Sequence, residues 1–189
     1  MKIIVITGKS GSGKTYVASK LASALNAEHL KLDEISHQTL KTETLKNFVA
    51  EEFGNEVFDQ TGSINRKKLG SIAFLEPEKL NKLNKLSEIE MEKIIDEKIA
   101  TSNKNVIILD YMLLPKMKYF KMSQIKILVT AESSSRKARI LERDGITEEY
   151  FESREKHSLS FNANDYDFVV ENNENLDIEN LINKIKAGI

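Results

Sequence analysis

The chain has 189 residues, of which 40% are hydrophobic, and this fits one folded domain with a sizeable core but no second large domain. Its 28 basic and 29 acidic side chains leave a formal net charge of −1, which gives no electrostatic case for nucleic acid or an anionic membrane as the main partner. The absence of cysteine excludes a disulfide framework and a thiolate metal site.

The first apolar run is short and leads directly into a glycine-rich segment. It is too short for the core of a signal peptide or for a membrane span, and no later run approaches about 18 apolar residues. We therefore expect a cytoplasmic protein, with no membrane and no nucleic acid among its partners.

Four short apolar runs rich in β-branched residues predict strands at residues 3–7, 106–109, 125–130 and 168–170. A weaker strand is expected near residues 29–32. Three of the four runs are continuously apolar, which is typical of parallel strands buried on both faces. Helical stretches separate them, so the pattern predicts an α/β fold with a five-stranded parallel sheet flanked by helices in three layers.

The first helix is predicted from residue 13 or 14 to about residue 25, because apolar side chains recur there at helical spacing. Residues 42–101 contain no convincing strand and predict a helical insertion. Two charged helices, at 132–142 and 147–159, are joined at a turn and together predict a mobile lid over about 132–160. A closing amphipathic helix is expected at 176–186. No linker interrupts the chain, so residues 1–189 are interpreted as a single domain.

The strongest motif follows the first strand and fits the pattern G-x-x-x-x-G-K-[ST], the phosphate-binding loop of nucleotide hydrolases and kinases (P-loop). Glycines let backbone N–H groups turn inward around a phosphate, and the helix that follows places the positive end of its dipole at the anion. Lys14 can bridge the β- and γ-phosphates of ATP, and the Thr15 hydroxyl can coordinate Mg²⁺. The predicted nucleotide-binding residues of this loop are Gly8, Lys9, Ser10, Gly11, Ser12, Gly13, Lys14 and Thr15.

Two acidic residues near predicted strand ends are further candidates. Asp33 can orient or deprotonate an attacking hydroxyl, although Asp is also a favoured helix N-cap. Asp110 ends the strand at 106–109, at the edge of the sheet where α/β proteins bind ligands, and can help to hold Mg²⁺ through water or can cap a helix. His37 lies one helical turn after Asp33, where a surface or packing role is the commoner outcome.

Arg139 and Arg143 lie four residues apart in a predicted helix, so they project from one face. Two guanidinium groups there can stabilise a transferring phosphoryl group under a closing lid, whereas ordinary surface arginines would look the same in sequence. His29, His37 and His157 are too scattered to form a metal site.

Taken in order, these segments resemble the dephospho-CoA kinase family over nearly the whole chain. The resemblance includes the phosphate loop, Leu32-Asp33, and an element from Gly62 to Leu69 that is similar to the family's G-x-[LI]-[DN]-R-x-x-L. It continues with Arg139-x-x-x-Arg143-Asp144-Gly145 and closes with residues 166–173, which are similar to A-D-x-V-I-x-N.

The resemblance implies phosphorylation of the ribose 3′-hydroxyl of dephospho-CoA by ATP with Mg²⁺. Asp33 would act at the acceptor hydroxyl. Arg66 and His37 would bind the acceptor. Arg139 and Arg143 would be the arginines of the lid, and Asn172 would lie beside adenine. A monomer or a weak homo-oligomer is expected.

The chain also departs from the family pattern, mainly in acceptor-side elements. Lys31 replaces a frequent Asp, a His-Pro pair after the helical insertion is missing, and residues 112–116 lack the leading proline and the acid of P-L-L-x-E. Two alternatives therefore stay open: a kinase for another nucleoside, nucleotide or metabolite, and a nucleotide-binding regulatory protein without turnover. The intact phosphate-binding residues argue against the second.

Overall fold

A computed structural model describes residues 1–73, 75–156, 158–173 and 176–188. By its internal contacts the chain divides into two compact units: the first comprises Met1–Lys31 and Asn103–Ile189, and the second comprises Leu32–Ser102. The second unit begins about ten residues before the predicted insertion. Whether the whole chain acts as a single domain stays a prediction.

The first unit is built on a five-stranded parallel sheet with the strand order β2-β3-β1-β4-β5. The strands are β1 (Lys2–Thr7), β2 (Glu28–Lys31), β3 (Val106–Asp110), β4 (Ile125–Thr130) and β5 (Phe168–Glu171). All five predicted strands are therefore confirmed, each within one residue at either end. The central strands β1 and β3 are buried almost throughout, as their continuous apolar sequences predict.

Helices flank this sheet, so the predicted α/β class is confirmed. The helices of the first unit are α1 (Lys14–Leu25), α6 (Lys118–Met122), α7 (Ser133–Asp144), α8 (Glu148–Lys156) and α9 (Ile178–Gly188). Apolar residues of α1 and α9 pack against alternate residues of the strands, such as Ile4, Ile108 and Ile127. Because parallel strands end at one edge, the segments after β1, β3, β4 and β5 meet there, which is where polar residues of a site are positioned.

The second unit consists of helices α2 (Leu32–Thr39), α3 (Glu43–Phe53), α4 (Arg66–Ala73) and α5 (Pro77–Thr101). Its core includes Leu45, Val49 and Phe53 of α3 together with Leu69 of α4 and Leu83 of α5. Among residues 42–73 and 75–101 there is no strand beyond one isolated antiparallel bridge, between Phe58 and Ile64. The predicted helical character of this region is confirmed.

Two of the helix ends that differ from the sequence prediction have local reasons. Helix α8 ends at Lys156, because the Ser158 N–H donates to the carbonyl of Glu155 and closes a tighter turn (His157 lies outside the described residues). Helix α9 begins at Ile178, since the carboxylate of Asp177 accepts from the N–H of Asn180 in an N-cap arrangement.

No helix among the described residues combines the length and the apolar character that crossing a membrane requires.

Candidate active site

The phosphate loop joins β1 to α1, and two of its glycines are required by the backbone around them. Gly8 has φ of 149°, and a Cβ there would lie 2.1 Å from the carbonyl oxygen of Val129 in β4. Gly13 has φ of 89°, and a Cβ there would lie 1.9 Å from Nδ2 of Asn172. A side chain at either position would be strained; at Gly8 it would also collide with the backbone of β4, and at Gly13 it would displace the side chain of Asn172.

Three consecutive carbonyl groups of the loop each accept a hydrogen bond from a side chain outside it. Nη1 of Arg136 donates to Ser10 O (3.2 Å) and Nη1 of Arg139 donates to Gly11 O (3.1 Å). Nδ2 of Asn172 donates to Ser12 O (2.8 Å).

These contacts orient the peptide units of the loop. In a trans peptide unit the C=O and the following N–H point in opposite directions. The N–H groups of Gly11 and Gly13 therefore point away from the side chains that bind the carbonyls of Ser10 and Ser12, while the Ser12 N–H donates to Lys9 O (3.2 Å). An array of backbone N–H groups at the start of a helix is suited to an anion.

Lys14 is the first residue of α1, and its Nζ lies 3.4 Å from the carbonyl oxygen of Lys9 across the loop. The ammonium group therefore lies at the loop whose bound phosphates it is predicted to contact. This places a positive charge beside the positive end of the α1 dipole, and both favour bound phosphate.

Thr15 and Asp110 meet where β1 and β3 run side by side. Thr15 Oγ1 donates to Asp110 Oδ2 at 2.6 Å, and Asp110 is 2% exposed. The other carboxylate oxygen, Oδ1, is buried and has no hydrogen-bond partner among the described residues. Nε2 of His29, at the adjacent strand β2, lies 3.5 Å from Oδ2 and is also without a hydrogen-bond partner in that part of the chain.

A hydroxyl beside a buried carboxylate with one unpaired oxygen fits a hydrated Mg²⁺ ion, which prefers oxygen ligands and keeps several waters. The described residues contain no group of three or more His, Cys, Asp or Glu side chains that would form a metal cage without substrate.

An ion-pair network links α7, α8 and the loop. The carboxylate of Glu155 accepts from Nη1 of Arg136 (2.9 Å) and pairs with the ammonium group of Lys9. The hydrogen bond from Arg136, followed by that from Lys9, outweighs the effect of burial and lowers the pKa of Glu155 to about 2. The carboxylate is therefore charged at neutral pH.

A cavity of about 340 Å³ lies beside the loop in the first unit. Its lining includes Lys9, Ser12, Thr130, Arg136 and Phe161. The hydroxyl of Ser12 is buried and has no hydrogen-bond partner among the described residues. The cavity is thus a mixed polar and apolar space against one wall of the phosphate loop.

The two arginines predicted for the lid differ in their surroundings. Arg139 donates to Gly11 O and, through Nη2, to Asn172 O (3.0 Å), so it is joined to the loop and to the segment after β5. Arg143 is 63% exposed and makes a two-point ion pair with Asp144, with Nε–Oδ1 of 2.6 Å and Nη2–Oδ2 of 2.9 Å.

The predicted acceptor-side residues belong to the second unit. Asp33 is the second residue of α2, inside its first turn rather than at the N-cap, and is exposed. His37 lies in the last turn of α2, and Arg66 is the first residue of α4; both are exposed. The structure thus brings together the loop, Asp110, Arg139 and Asn172 within the first unit, and places Asp33, His37 and Arg66 in the second.

Sequence reasoning did not select Arg136, Glu155 or His29. Arg136 lies three residues before Arg139 on one face of α7, so the helical spacing of arginines carried a signal for it. Glu155 and His29 reach the site through tertiary contacts, and no local pattern distinguishes them from other charged or polar residues.

The comparisons with known proteins identify the family of the chain. A family model described as dephospho-CoA kinase matches residues 2–177. The dephospho-CoA kinase of Fusobacterium nucleatum is 32% identical over 97% of this chain and 95% of its own length. That of Aquifex aeolicus is 33% identical over 94% of this chain and 91% of its own length.

Solved structures give the same fold. A Thermus thermophilus protein superimposes with a TM-score of 0.79 at 26% identity, covering 100% of this chain and 97% of that one. The dephospho-CoA kinase of Campylobacter jejuni (TM-score 0.61, 18% identity, 98% and 96% covered) and the shikimate kinase of Acinetobacter baumannii (0.51, 16%, 98% and 91%) share the fold. This chain is a kinase and belongs to the dephospho-CoA kinase family.

Proposed function

We propose that the protein transfers the γ-phosphoryl group of ATP to the ribose 3′-hydroxyl of dephospho-CoA, giving coenzyme A and ADP. The observation that carries this choice is the family match over residues 2–177, which spans the phosphate loop and the helical unit together. The bond from the γ-phosphorus to the oxygen of ADP breaks, and a bond to the 3′-oxygen forms. The hydroxyl proton leaves to a base.

The phosphate loop is assigned to the triphosphate. Backbone N–H groups of residues 8–15 bind the β-phosphate, with Lys14 bridging toward the γ-phosphate. The orientation of the loop's peptide units supports this assignment, because their carbonyls are turned to Arg136, Arg139 and Asn172. Asn172, which also accepts from Arg139 through its carbonyl, is assigned to the edge of the adenine site.

Thr15 and Asp110 are assigned to Mg²⁺, with Asp110 acting through water. When bound, the ion neutralises charge on the phosphates and holds them in a fixed orientation. The Thr15 hydroxyl is held 2.6 Å from a buried carboxylate, and this favours a cation at its oxygen.

Asp33 is assigned as the residue that orients and deprotonates the acceptor hydroxyl, and Arg66 and His37 as acceptor-binding residues. Arg139 and Arg143 would stabilise the charge that develops on the transferring group, with α7 and α8 acting as the lid. We further propose a cytoplasmic protein that acts as a monomer or a weak homo-oligomer.

The test is ADP release with Mg²⁺–ATP, with and without dephospho-CoA, and with the mass of the product measured. We expect one phosphate gained on dephospho-CoA, and its loss in Lys14→Ala. The matched control is Lys20→Ala, because Lys20 lies on the same helix but outside the loop.

Asp33→Asn should lower kcat while leaving ATP affinity nearly unchanged. An unchanged kcat would remove Asp33 from its assigned role. ATP binding without turnover of dephospho-CoA would show that the acceptor is a different small molecule, and wild-type rates in Lys14→Ala would refute the nucleotide site.

A further inference from the structure

We propose that Arg136, held in place by Glu155, is a positioning residue that fixes the phosphate loop in the conformation that binds nucleotide. The inference rests on the proposed function, because it assumes that the loop receives the phosphates of ATP. Arg136 itself contacts the backbone of the loop and acts through it.

Arg136 occupies an unusual environment for an arginine. It is 5% exposed, although most arginines are at the surface unless they are paired. Its Nη1 donates both to Ser10 O (3.2 Å) and to Glu155 Oε2 (2.9 Å), so one nitrogen links the loop backbone to α8. Arg139, which makes the equivalent contact to Gly11 O, is exposed.

Glu155 is fixed from several directions. Besides Arg136, the ammonium group of Lys9 and the hydroxyl of Ser158 (3.3 Å) both donate to its Oε1. A carboxylate with three donors has little freedom to rotate, and it supplies the charge that a buried guanidinium needs. Glu155 therefore holds Arg136 in the orientation that reaches Ser10.

The consequence for binding follows from the peptide geometry. With Ser10 O directed at Arg136, the N–H of Gly11 must point to the opposite side, away from Arg136. Without Arg136 the peptide unit between Ser10 and Gly11 can rotate. Binding would then have to fix this unit at a cost in conformational entropy, so the affinity for nucleotide would fall. Preorganisation of the loop is the role that we assign to Arg136.

A purely structural role is the competing explanation, because the Arg136–Glu155 pair also joins α7 to α8. The chain offers a matched control for this. The next residue of α7, Lys137, pairs with Glu148 of α8 (2.5 Å) and so joins the same two helices. Lys137→Met removes an ion pair between α7 and α8. Arg136→Met also removes an ion pair between these helices, and in addition it removes the hydrogen bond to Ser10 O.

The experiment compares these two variants with the wild type by three measurements: calorimetric Kd for Mg²⁺–ADP, hydrogen exchange of the amides of residues 8–13, and KM for ATP and for dephospho-CoA. We expect Arg136→Met to weaken ADP binding about tenfold, the effect of losing a hydrogen bond from a charged donor. Loop exchange and KM for ATP should rise, while KM for dephospho-CoA should stay near that of the wild type. Lys137→Met should change none of these.

Equal effects of Arg136→Met and Lys137→Met, or unchanged loop exchange in Arg136→Met, would overturn the proposal. If Arg136→Met does not fold, Arg136→Lys replaces it, because its ammonium group keeps the charge opposite Glu155 but lies on a shorter side chain than Nη1, the nitrogen that reaches Ser10 O. It should show the same faster loop exchange. If the wild type binds no ADP, the proposed function fails, whereas loop exchange in the variants still decides the role of Arg136.

Discussion

The two sides of the phosphate loop satisfy their polar groups in different ways. On the side of α7 and the segment after β5, the carbonyls of Ser10, Gly11 and Ser12 each accept a hydrogen bond from a side chain. On the side of β3, the buried Oδ1 of Asp110 and the Nε2 of the neighbouring His29 have no hydrogen-bond partner among the described residues.

The paired groups are backbone carbonyls, since the side-chain atoms Ser12 Oγ and Asn173 Oδ1 on the same side are also without a hydrogen-bond partner among the described residues. Buried polar atoms are normally paired, so we assign the loop backbone and the Asp110 side to different functions. The paired side holds the loop in shape before any ligand arrives. The unpaired side, where Thr15 meets Asp110, is where an ion and its waters would complete the hydrogen bonding. Disturbing the first side should therefore change nucleotide affinity, and disturbing the second should change the requirement for Mg²⁺.

The largest effect on Mg²⁺–ADP affinity is expected from Gly8→Ala, which disturbs the backbone of the phosphate loop and so its paired side. The new Cβ would lie 2.1 Å from the carbonyl of Val129, and backbone atoms there cannot move without displacing β4. Strain and overpacking of about 3 kcal/mol together would weaken Mg²⁺–ADP binding about 100-fold. Calorimetric titration with ADP measures this.

The control for Gly8→Ala is Gly145→Ala. Gly145 also has positive φ, of 61°, but a Cβ there would meet nothing within 4 Å. It should cost some stability of α7 and leave ADP affinity close to that of the wild type. If the two variants bind ADP alike, the collision with Val129 does not control the shape of the loop.

Asp110→Asn should act on the unpaired side. Asn keeps an oxygen that can accept from Thr15 Oγ1 but loses the charge that supports the hydrated ion, and outer-shell changes of this kind lower metal affinity about 10- to 100-fold. The Mg²⁺ concentration that gives half-maximal kinase activity should rise by that factor, with much of kcat restored at high Mg²⁺. A loss of kcat with no change in the Mg²⁺ requirement would contradict the assignment.

Asn172→Ala should have a smaller effect on the paired side. It removes the hydrogen bond to Ser12 O, which is worth about 0.5–1.5 kcal/mol, so Kd for ADP should rise about 2- to 10-fold. The control is Asn173→Ala, because the Oδ1 of Asn173 has no hydrogen-bond partner among the described residues. Equal shifts in both variants would show that the segment after β5 acts as a whole.

The sequence predicts much of this architecture because the relevant signals are local. Continuous β-branched runs identify β1, β3 and β4, and glycines with a following Lys-Thr identify the loop. Asp110 is predicted as a site residue because it ends a strand at the edge of the sheet where ligands bind. These features depend on residues that are neighbours in the chain.

The support of the loop was not predictable in the same way. Arg136, Arg139 and Asn172 reach three successive carbonyls from residues 126, 128 and 160 positions away. Nothing in the local sequence marks Arg136 as buried or Glu155 as its partner, since both lie in charged helices that resemble solvated surface. Such contacts arise only when the strands bring the helices to the loop.

The smallest effect is expected from Glu155→Gln, and it depends on pH. The pKa of Glu155 is lowered from 4.5 to about 2 in the folded protein, chiefly by Arg136, so the charged carboxylate stabilises the fold fully above pH 4.5. This stabilisation, about 1 kcal/mol for a partly exposed pair, is lost as the pH falls from 4.5 toward 2. The difference in free energy of unfolding between wild type and Glu155→Gln, measured by denaturant titration, should therefore be largest near pH 7 and shrink below pH 4.5.

Glu148→Gln, which breaks the exposed pair with Lys137, should differ little from wild type throughout. If the difference in free energy of unfolding between wild type and Glu155→Gln stays constant from pH 7 to pH 3, then the shape rather than the charge of the side chain at this position supports the paired side of the loop.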